Sequence, residues 1–110
     1  MKKVVVVLAF SAAISFIMTS ASPVVADSAK SGEELFKQNC AVCHVDGGNI
    51  VNPKKTLHKA DREANNVKTV KDIIGKMRNP GPGMIKFDEK TIPDKEAKEI
   101  AEYILKTFNK

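Results

Sequence analysis

The only two cysteines of this 110-residue chain lie three positions apart, in the stretch CAVCH at residues 40–44. One of the two histidines of the chain follows the second cysteine directly. Two thiols on one turn can each add across a vinyl group of haem, and the adjacent imidazole can then bind the iron. The spacing therefore predicts covalent attachment of one haem c, with Cys40 and Cys43 as thioether anchors and His44 as an axial ligand of the iron.

Three other uses of the cysteine pair are open on the residues alone. A thioredoxin-like dithiol needs no histidine after it and requires a strand–helix scaffold, which the hydrophobic pattern does not indicate. A tetrahedral zinc site needs four ligands, and His58 is the obvious fourth beside the two thiols and His44. A structural disulfide is the common role of two cysteines in a short exported protein.

The second axial ligand decides what such a haem can do. Met84 follows Pro-Gly-Pro-Gly in a predicted loop and lies on no helical face, so its thioether is the favoured ligand. Met77 lies on the apolar stripe of a predicted helix, which indicates packing, and His58 is the rival ligand, giving bis-histidine iron. Ligation by His44 and Met84 leaves no open iron position and predicts a one-electron carrier that is not an enzyme. A labile Met84 would instead allow a haem sensor or haem enzyme.

The N-terminus has the layout of a secretory signal peptide. Lys2 and Lys3 precede an apolar run, and small residues lead to a predicted cleavage site before Asp27. The alternative is a membrane anchor, but several serines and a proline interrupt the run. We expect residues 1–26 to be removed, leaving one exported domain of residues 27–110 without stable membrane insertion.

The composition of the remaining domain favours a cofactor-containing fold. About a third of its residues are hydrophobic and its net charge falls to +3, counted from the sequence. Small domains bury a low fraction of their surface, so a chain this short often needs a disulfide, a metal or a cofactor. The mild charge and the single tyrosine argue against nucleic-acid binding. We expect a monomer in which haem supplies the missing core.

The periodicity of apolar residues predicts an all-α fold of three to four short helices. Gly32 lies inside the first predicted helix, where glycine is unfavourable, which indicates that another element packs close to its backbone. No segment alternates long enough to predict a strand. The predicted helices run from about Ser28 to Asn39, from Lys59 to Asn65, from Val70 (capped by Thr69) to the Asn79-Pro80 stop, and from Asp94 to about Phe108.

Four stretches together resemble the cytochrome c6 family, the small c-type cytochromes of cyanobacteria and algae. They are GEELFKQNCAVCH at 32–44, GGNIVNPKKTL at 47–57, NPGPGM at 79–84 and IAEYILKTF at 100–108. The CAVCH motif alone indicates only haem c, whereas the GGNIVNPKKTL stretch is more specific to this family. The resemblance covers nearly all of the predicted mature chain.

The resemblance implies a class I cytochrome c fold, in which the first and last helices cross. Gly32 and Phe36 would then pack against Tyr103. It also implies that the carbonyl of Pro53 accepts a hydrogen bond from His44, which would orient the imidazole toward the iron.

The implied role is electron transfer from the cytochrome b6f complex to photosystem I in the thylakoid lumen. A periplasmic location, with a terminal oxidase as the electron acceptor, is the alternative. Lys54, Lys55, Lys86 and Lys90 would form a mildly positive rim around the exposed haem edge, with Ile85 as an apolar contact.

The chain departs from the usual family pattern at three positions. Ile85 follows the candidate ligand Met84, where the family usually has proline. Lys76 stands where many members have a glutamine near the haem, and Lys90 where many cyanobacterial members have an arginine for docking. These differences allow a specialised paralogue with its own reduction potential and partner.

Overall fold

The computed structural model describes residue 13 and residues 29–110. This part of the chain forms four α-helices and one 3-10 turn and contains no β-strand. The predicted signal peptide lies outside the described residues, apart from residue 13, and stays a prediction. The elements are α1 (Gly32–Asn39), the 3-10 turn (Val45–Gly47), α2 (Lys59–Ala64), α3 (Val70–Arg78) and α4 (Asp94–Thr107).

Two of the helix starts are closed by reciprocal hydrogen bonds between side chain and backbone. The Ser31 hydroxyl accepts from the Glu34 backbone N–H, and the Glu34 carboxylate accepts from the Ser31 N–H. This capping box begins α1 at Gly32, so the predicted start at Ser28 is wrong, and Ser28 itself lies outside the described residues. Thr69 and Asp72 form the same arrangement at α3, which confirms the predicted cap.

The first and last helices pack against each other where Gly32 removes the side chain between them. A Cβ on Gly32 would overlap the Glu99 carbonyl oxygen and lie 3.0 Å from the Cβ of Tyr103. The Phe36 and Tyr103 rings lie beside this contact with centroids 5.3 Å apart. The close approach predicted at Gly32 and the expected packing against Tyr103 are both confirmed.

The apolar stripe of α4 forms the centre of the core, because α1 and α3 both pack against it. The all-α fold predicted from the periodicity is therefore confirmed, and α4 ends one residue earlier than expected. No helix among residues 29–110 combines the length and the apolar composition needed to cross a bilayer. The buried core consists of Leu35, Phe36, Ile73, Met77, Ile92, Ala97, Ile100, Ala101, Ile104 and Phe108.

Candidate functional site

The CAVCH stretch forms a compact turn at the end of α1. The Phe36 carbonyl accepts from the N–H of Cys40 at 2.8 Å, and the Cys40 carbonyl accepts from the N–H of His44 at 2.9 Å. The turn folds the five residues back on themselves, and the side chains of Cys40, Cys43 and His44 line one cavity.

This cavity has a volume of about 380 Å³, within the range of roughly 300–1,000 Å³ typical of cofactor and ligand sites. Its walls come from the CAVCH turn, the loop after it, α2, α3 and the loop before α4. Its lining residues include Cys40, Val42, Cys43, His44, Val51, Lys55, Arg62, Lys76, Met77, Met84, Ile85 and Phe87.

The structure distinguishes the candidate second ligands. Met77 and Met84 both line the cavity, but Met77 is 3% exposed within the apolar core whereas Met84 is 37% exposed. His58 is not a lining residue. It precedes α2, and its ring packs edge-on against Phe108 with centroids 5.8 Å apart. Met84 therefore lines the same cavity as His44, and His58 does not.

Both cysteines are free thiols in this part of the chain. Burial raises the pKa of the Cys40 thiol to about 11. Among residues 29–110, no three His, Cys, Asp or Glu side chains form a metal-binding group. Among the described residues, His58 therefore does not complete a zinc-ligand group with the two cysteines and His44.

The imidazole of His44 is oriented by a backbone carbonyl, but not by the one that the resemblance implied. Its Nδ1 lies 2.7 Å from the carbonyl oxygen of Gly48, so the expected bond to Pro53 is wrong in this structure. The 3-10 turn, with Asp46 at φ 52° and Gly47 at φ 78°, returns the chain toward the ring. Since a carbonyl can only accept, Nδ1 carries the proton and Nε2 keeps a free lone pair.

Arg62 is a buried cation that the sequence analysis missed. It is 5% exposed, and its guanidinium donates to the carbonyls of Leu57 at 2.7 Å and Val67 at 3.4 Å. None of the ion pairs found within residues 29–110 includes it. No sequence signal separates it from a solvated arginine, because α2 is too short to show a clear apolar face.

The lining chemistry fits a haem. Two thiols and an imidazole come from one turn, and a thioether comes from a separate loop. Buried charges in proteins are normally paired, and Arg62 lines a wall without a carboxylate partner in the described chain. The two carboxylates that a haem carries are suitable partners for that guanidinium.

The exposed large hydrophobic side chains of residues 29–110 all lie in two short segments. They are Val42, Val45, Ile50, Val51, Met84 and Ile85. Four of these, Val42, Val51, Met84 and Ile85, also line the cavity, and we call them the apolar rim. Contiguous exposed apolar surface commonly marks a binding site, so the rim is a candidate contact for a partner.

Comparison with known proteins identifies relatives of one kind. Residues 27–104 match the family described as cytochrome c oxidase, cbb3-type, subunit III. Cytochrome c6 of Cyanidium caldarium is 31% identical over 109 residues, covering 99% of this chain and 96% of the relative.

Two solved structures extend the comparison. Outer membrane cytochrome F of Geobacter sulfurreducens is 51% identical with a TM-score of 0.69, covering 71% of this chain and 99% of that one. Cytochrome c6C of a Synechococcus strain is 26% identical with a TM-score of 0.67, covering 72% of this chain and 95% of that one. All three named relatives are cytochromes.

Proposed function

The chain belongs to the cytochrome c6 family, whose members carry one covalently bound haem c, and from this premise we propose that it carries single electrons through iron ligated by His44 and Met84. Cys40 and Cys43 tether the haem to the turn after α1, and His44 presents Nε2 to the iron because Gly48 holds the Nδ1 proton. The bound haem supplies a one-electron iron couple.

The two proposed protein ligands exclude reactions in which a further molecule must bind the iron. With His44 and Met84 both bound, the haem iron would have no open position and a higher reduction potential than two imidazoles would give it. Peroxide and oxygen then have no site at which to bind, so we infer an electron carrier rather than an enzyme. Arg62 offers its guanidinium to a haem carboxylate inside the apolar cavity.

The observation that carries this proposal is that Cys40, Cys43, His44 and Met84 all line one cavity. The test compares Met84→Ala with Met77→Leu, since both methionines line that cavity. The ferric holoprotein should show the weak long-wavelength absorption of methionine-bound iron. Met84→Ala should abolish this band and admit cyanide, whereas Met77→Leu should keep it. Retention of the band in Met84→Ala would refute the assigned ligand.

The apolar rim and nearby lysines support transient docking of an acidic partner. Lys55 and Lys76 line the cavity, and Lys86 follows Ile85 at the rim. Positive charge around an apolar contact speeds association with an acidic surface and loses its effect as salt rises. We expect the rate of electron transfer to an acidic partner to fall as ionic strength rises, and Lys86→Glu to lower the rate further. A rate that does not change with ionic strength would contradict this docking mode.

Two settings are supported by different relatives. The cytochrome c6 relatives support transfer from the cytochrome b6f complex to photosystem I in the thylakoid lumen. The higher identity to an outer membrane cytochrome of Geobacter supports a bacterial cell envelope, where the acceptor would be a terminal oxidase or another cytochrome. Flash-induced oxidation by photosystem I particles distinguishes them: fast, saturable oxidation supports the first setting, and its absence supports the second.

A further inference from the structure

The loop that carries Met84, residues 79–86, has little internal structure to hold the sulfur in place. Seven of its eight residues are exposed, and Pro80 is the exception. The hydrogen bond found within this Met84 loop runs from the Met84 N–H to the Gly81 carbonyl at 3.5 Å, near the limit for such a bond. A Cβ on Gly81 would meet nothing within 4 Å. The position of Met84 therefore depends on contacts at the ends of the loop.

The two ends of the Met84 loop are joined through Phe87. The Phe87 N–H donates to the Met77 carbonyl at 2.9 Å. The guanidinium of Arg78 donates from Nη1 to the Phe87 carbonyl at 3.0 Å and from Nη2 to Asp94 at 2.8 Å. Residues 77 and 78 thus bind both backbone groups of Phe87, and the ring of Phe87 lines the cavity.

We propose that Arg78 is a positioning residue for the iron ligand: by bonding the Phe87 carbonyl, it closes the base of the Met84 loop and holds the Met84 sulfur within reach of the iron. The proposal rests on the ligation by His44 and Met84 proposed above. Arg78 is not among the residues that line the cavity, so it would act through the loop.

The exposure of the two partners indicates which Arg78 contact closes the base of the Met84 loop. The Asp94 side chain is 73% exposed and that of Arg78 is 20% exposed. An ion pair with so exposed a carboxylate contributes little, because water screens it. A hydrogen bond from a charged, half-buried donor to a backbone carbonyl is stronger. The bond to Phe87, rather than the pair with Asp94, should control the loop.

A separate contact restrains the loop next to the ligand. Gly83 has φ 89°, and a Cβ there would lie 2.6 Å from Cγ1 of Val51. The backbone before Met84 therefore lies directly on the Val51 side chain. This contact limits sideways movement of the loop but bonds neither of its ends, so the ends are held by the hydrogen bonds of Phe87 to Met77 and Arg78.

The test measures how often Met84 leaves the iron in the ferric holoprotein. Cyanide can bind only when the sulfur is displaced, so its binding rate at saturating concentration reports loop opening. Arg78→Met keeps the length of the side chain and removes its donors. We expect this variant to bind cyanide about ten- to a hundredfold faster than wild type. As the pH is changed, it should also lose the methionine–iron band at a lower pH than wild type does. Asp94→Asn should stay close to wild type.

Lys59→Gln is the matched control, because Lys59 is also a cation in an ion pair, with Glu63 on α2, outside the Met84 loop. It should leave the cyanide rate unchanged. A wild-type rate in Arg78→Met, or equal acceleration in Asp94→Asn or Lys59→Gln, would overturn the proposal. If Arg78→Met does not retain haem, Arg78→Gln decides: its shorter, uncharged amide gives at best a weaker hydrogen bond to the Phe87 carbonyl than the guanidinium does, so faster binding is expected and a wild-type rate refutes the role.

The same spectra distinguish a failure of the proposed ligation by Met84 from a failure of the proposed role of Arg78. A wild-type ferric spectrum without the methionine–iron band would refute the ligation by Met84, and the role of Arg78 with it. A wild-type band that Arg78→Met leaves unchanged at every pH, with an unchanged cyanide rate, would refute the role of Arg78 and leave the electron-carrier function standing.

Discussion

The side chains at this site have roles that follow from their chemistry, and Met84 is the most informative of them. Its thioether lines the cavity and is partly exposed in its loop, whereas Met77 is buried in the core. The two methionines also differ in their surroundings along the chain, since Met77 lies in α3 and Met84 follows Pro-Gly-Pro-Gly in a loop. A substitution that replaces the Met84 sulfur with a different ligand atom therefore tests its role directly.

Replacing Met84 with histidine should lower the reduction potential. A second imidazole stabilises ferric iron more than a thioether does, so the oxidised state gains. We expect a fall on the order of 100 mV, a fraction of the roughly 0.8 V that axial ligands span. A redox titration of Met84→His against Met77→Leu measures it. An unchanged potential in Met84→His would mean that Met84 is not an iron ligand.

Gly32 and Gly75 provide a matched pair at the scale of the helices. Gly32 lies at the contact between α1 and α4, where a Cβ would overlap the Glu99 carbonyl. We expect Gly32→Ala to lower the free energy of unfolding by about 1–3 kcal/mol, since overpacking forces the helices apart. Chemical denaturation of the holoprotein measures this loss.

The control for that change is Gly75→Ala on α3. No atom outside its own helix lies within 4 Å of a Cβ built there. Alanine should stabilise this helix by roughly 0.4–1 kcal/mol, because it restricts the unfolded chain and suits a helix interior. Equal destabilisation by both substitutions would show that the contact between α1 and α4 is not what requires glycine at residue 32.

The helix caps should make the fold sensitive to acid. Backbone hydrogen bonds from Ser31 lower the pKa of Glu34, and those from Lys68 and Thr69 lower the pKa of Asp72. Because both pKa values are depressed in the folded state, the stabilisation is present above the unfolded values of about 4–4.5. It is lost as the pH falls through the lower folded values.

Thermal unfolding across this pH range measures the effect. The melting temperature should decline more steeply in wild type than in the Glu34→Gln/Asp72→Asn double variant, which lacks both titrating caps. The two proteins are identical at every other residue, so the difference between their profiles isolates the caps. Identical pH profiles would show that the two carboxylates do not contribute.

The molecule as a whole is built around a cavity that its own side chains do not fill. The cavity of about 380 Å³ is lined by apolar side chains that include the exposed Val51 and Ile85 and the buried Met77. A group bound there removes apolar surface from water at about 25 cal/mol per Å², and the whole stability of a small domain is only roughly 5–15 kcal/mol. The fold therefore depends on what occupies the cavity.

Removing both attachment points tests this dependence. The Cys40→Ser/Cys43→Ser double variant, prepared without haem, should show no cooperative thermal transition by circular dichroism, because the cavity remains empty. The holoprotein provides the reference melt. A cooperative transition of the haem-free variant near that of the holoprotein would show that the core is complete without the cofactor.

The sequence alone determined the parts of this protein that depend on local chemistry. The spacing of Cys40, Cys43 and His44 predicts haem attachment, and the periodicity of apolar residues predicts α3 and α4, because both patterns act within a few turns of chain. The start of α1 was predicted wrongly since Ser28 and Ser31 are equally good caps in sequence.

Only the tertiary structure decided which residues meet across the chain. The burial of Arg62, the bond from Arg78 to Phe87, and the choice of the Gly48 carbonyl for His44 all depend on how loops return to the core. These contacts join segments whose sequences carry no periodic signal. Packing against α4 and around the cavity selects them, so they become visible only when the chain is folded.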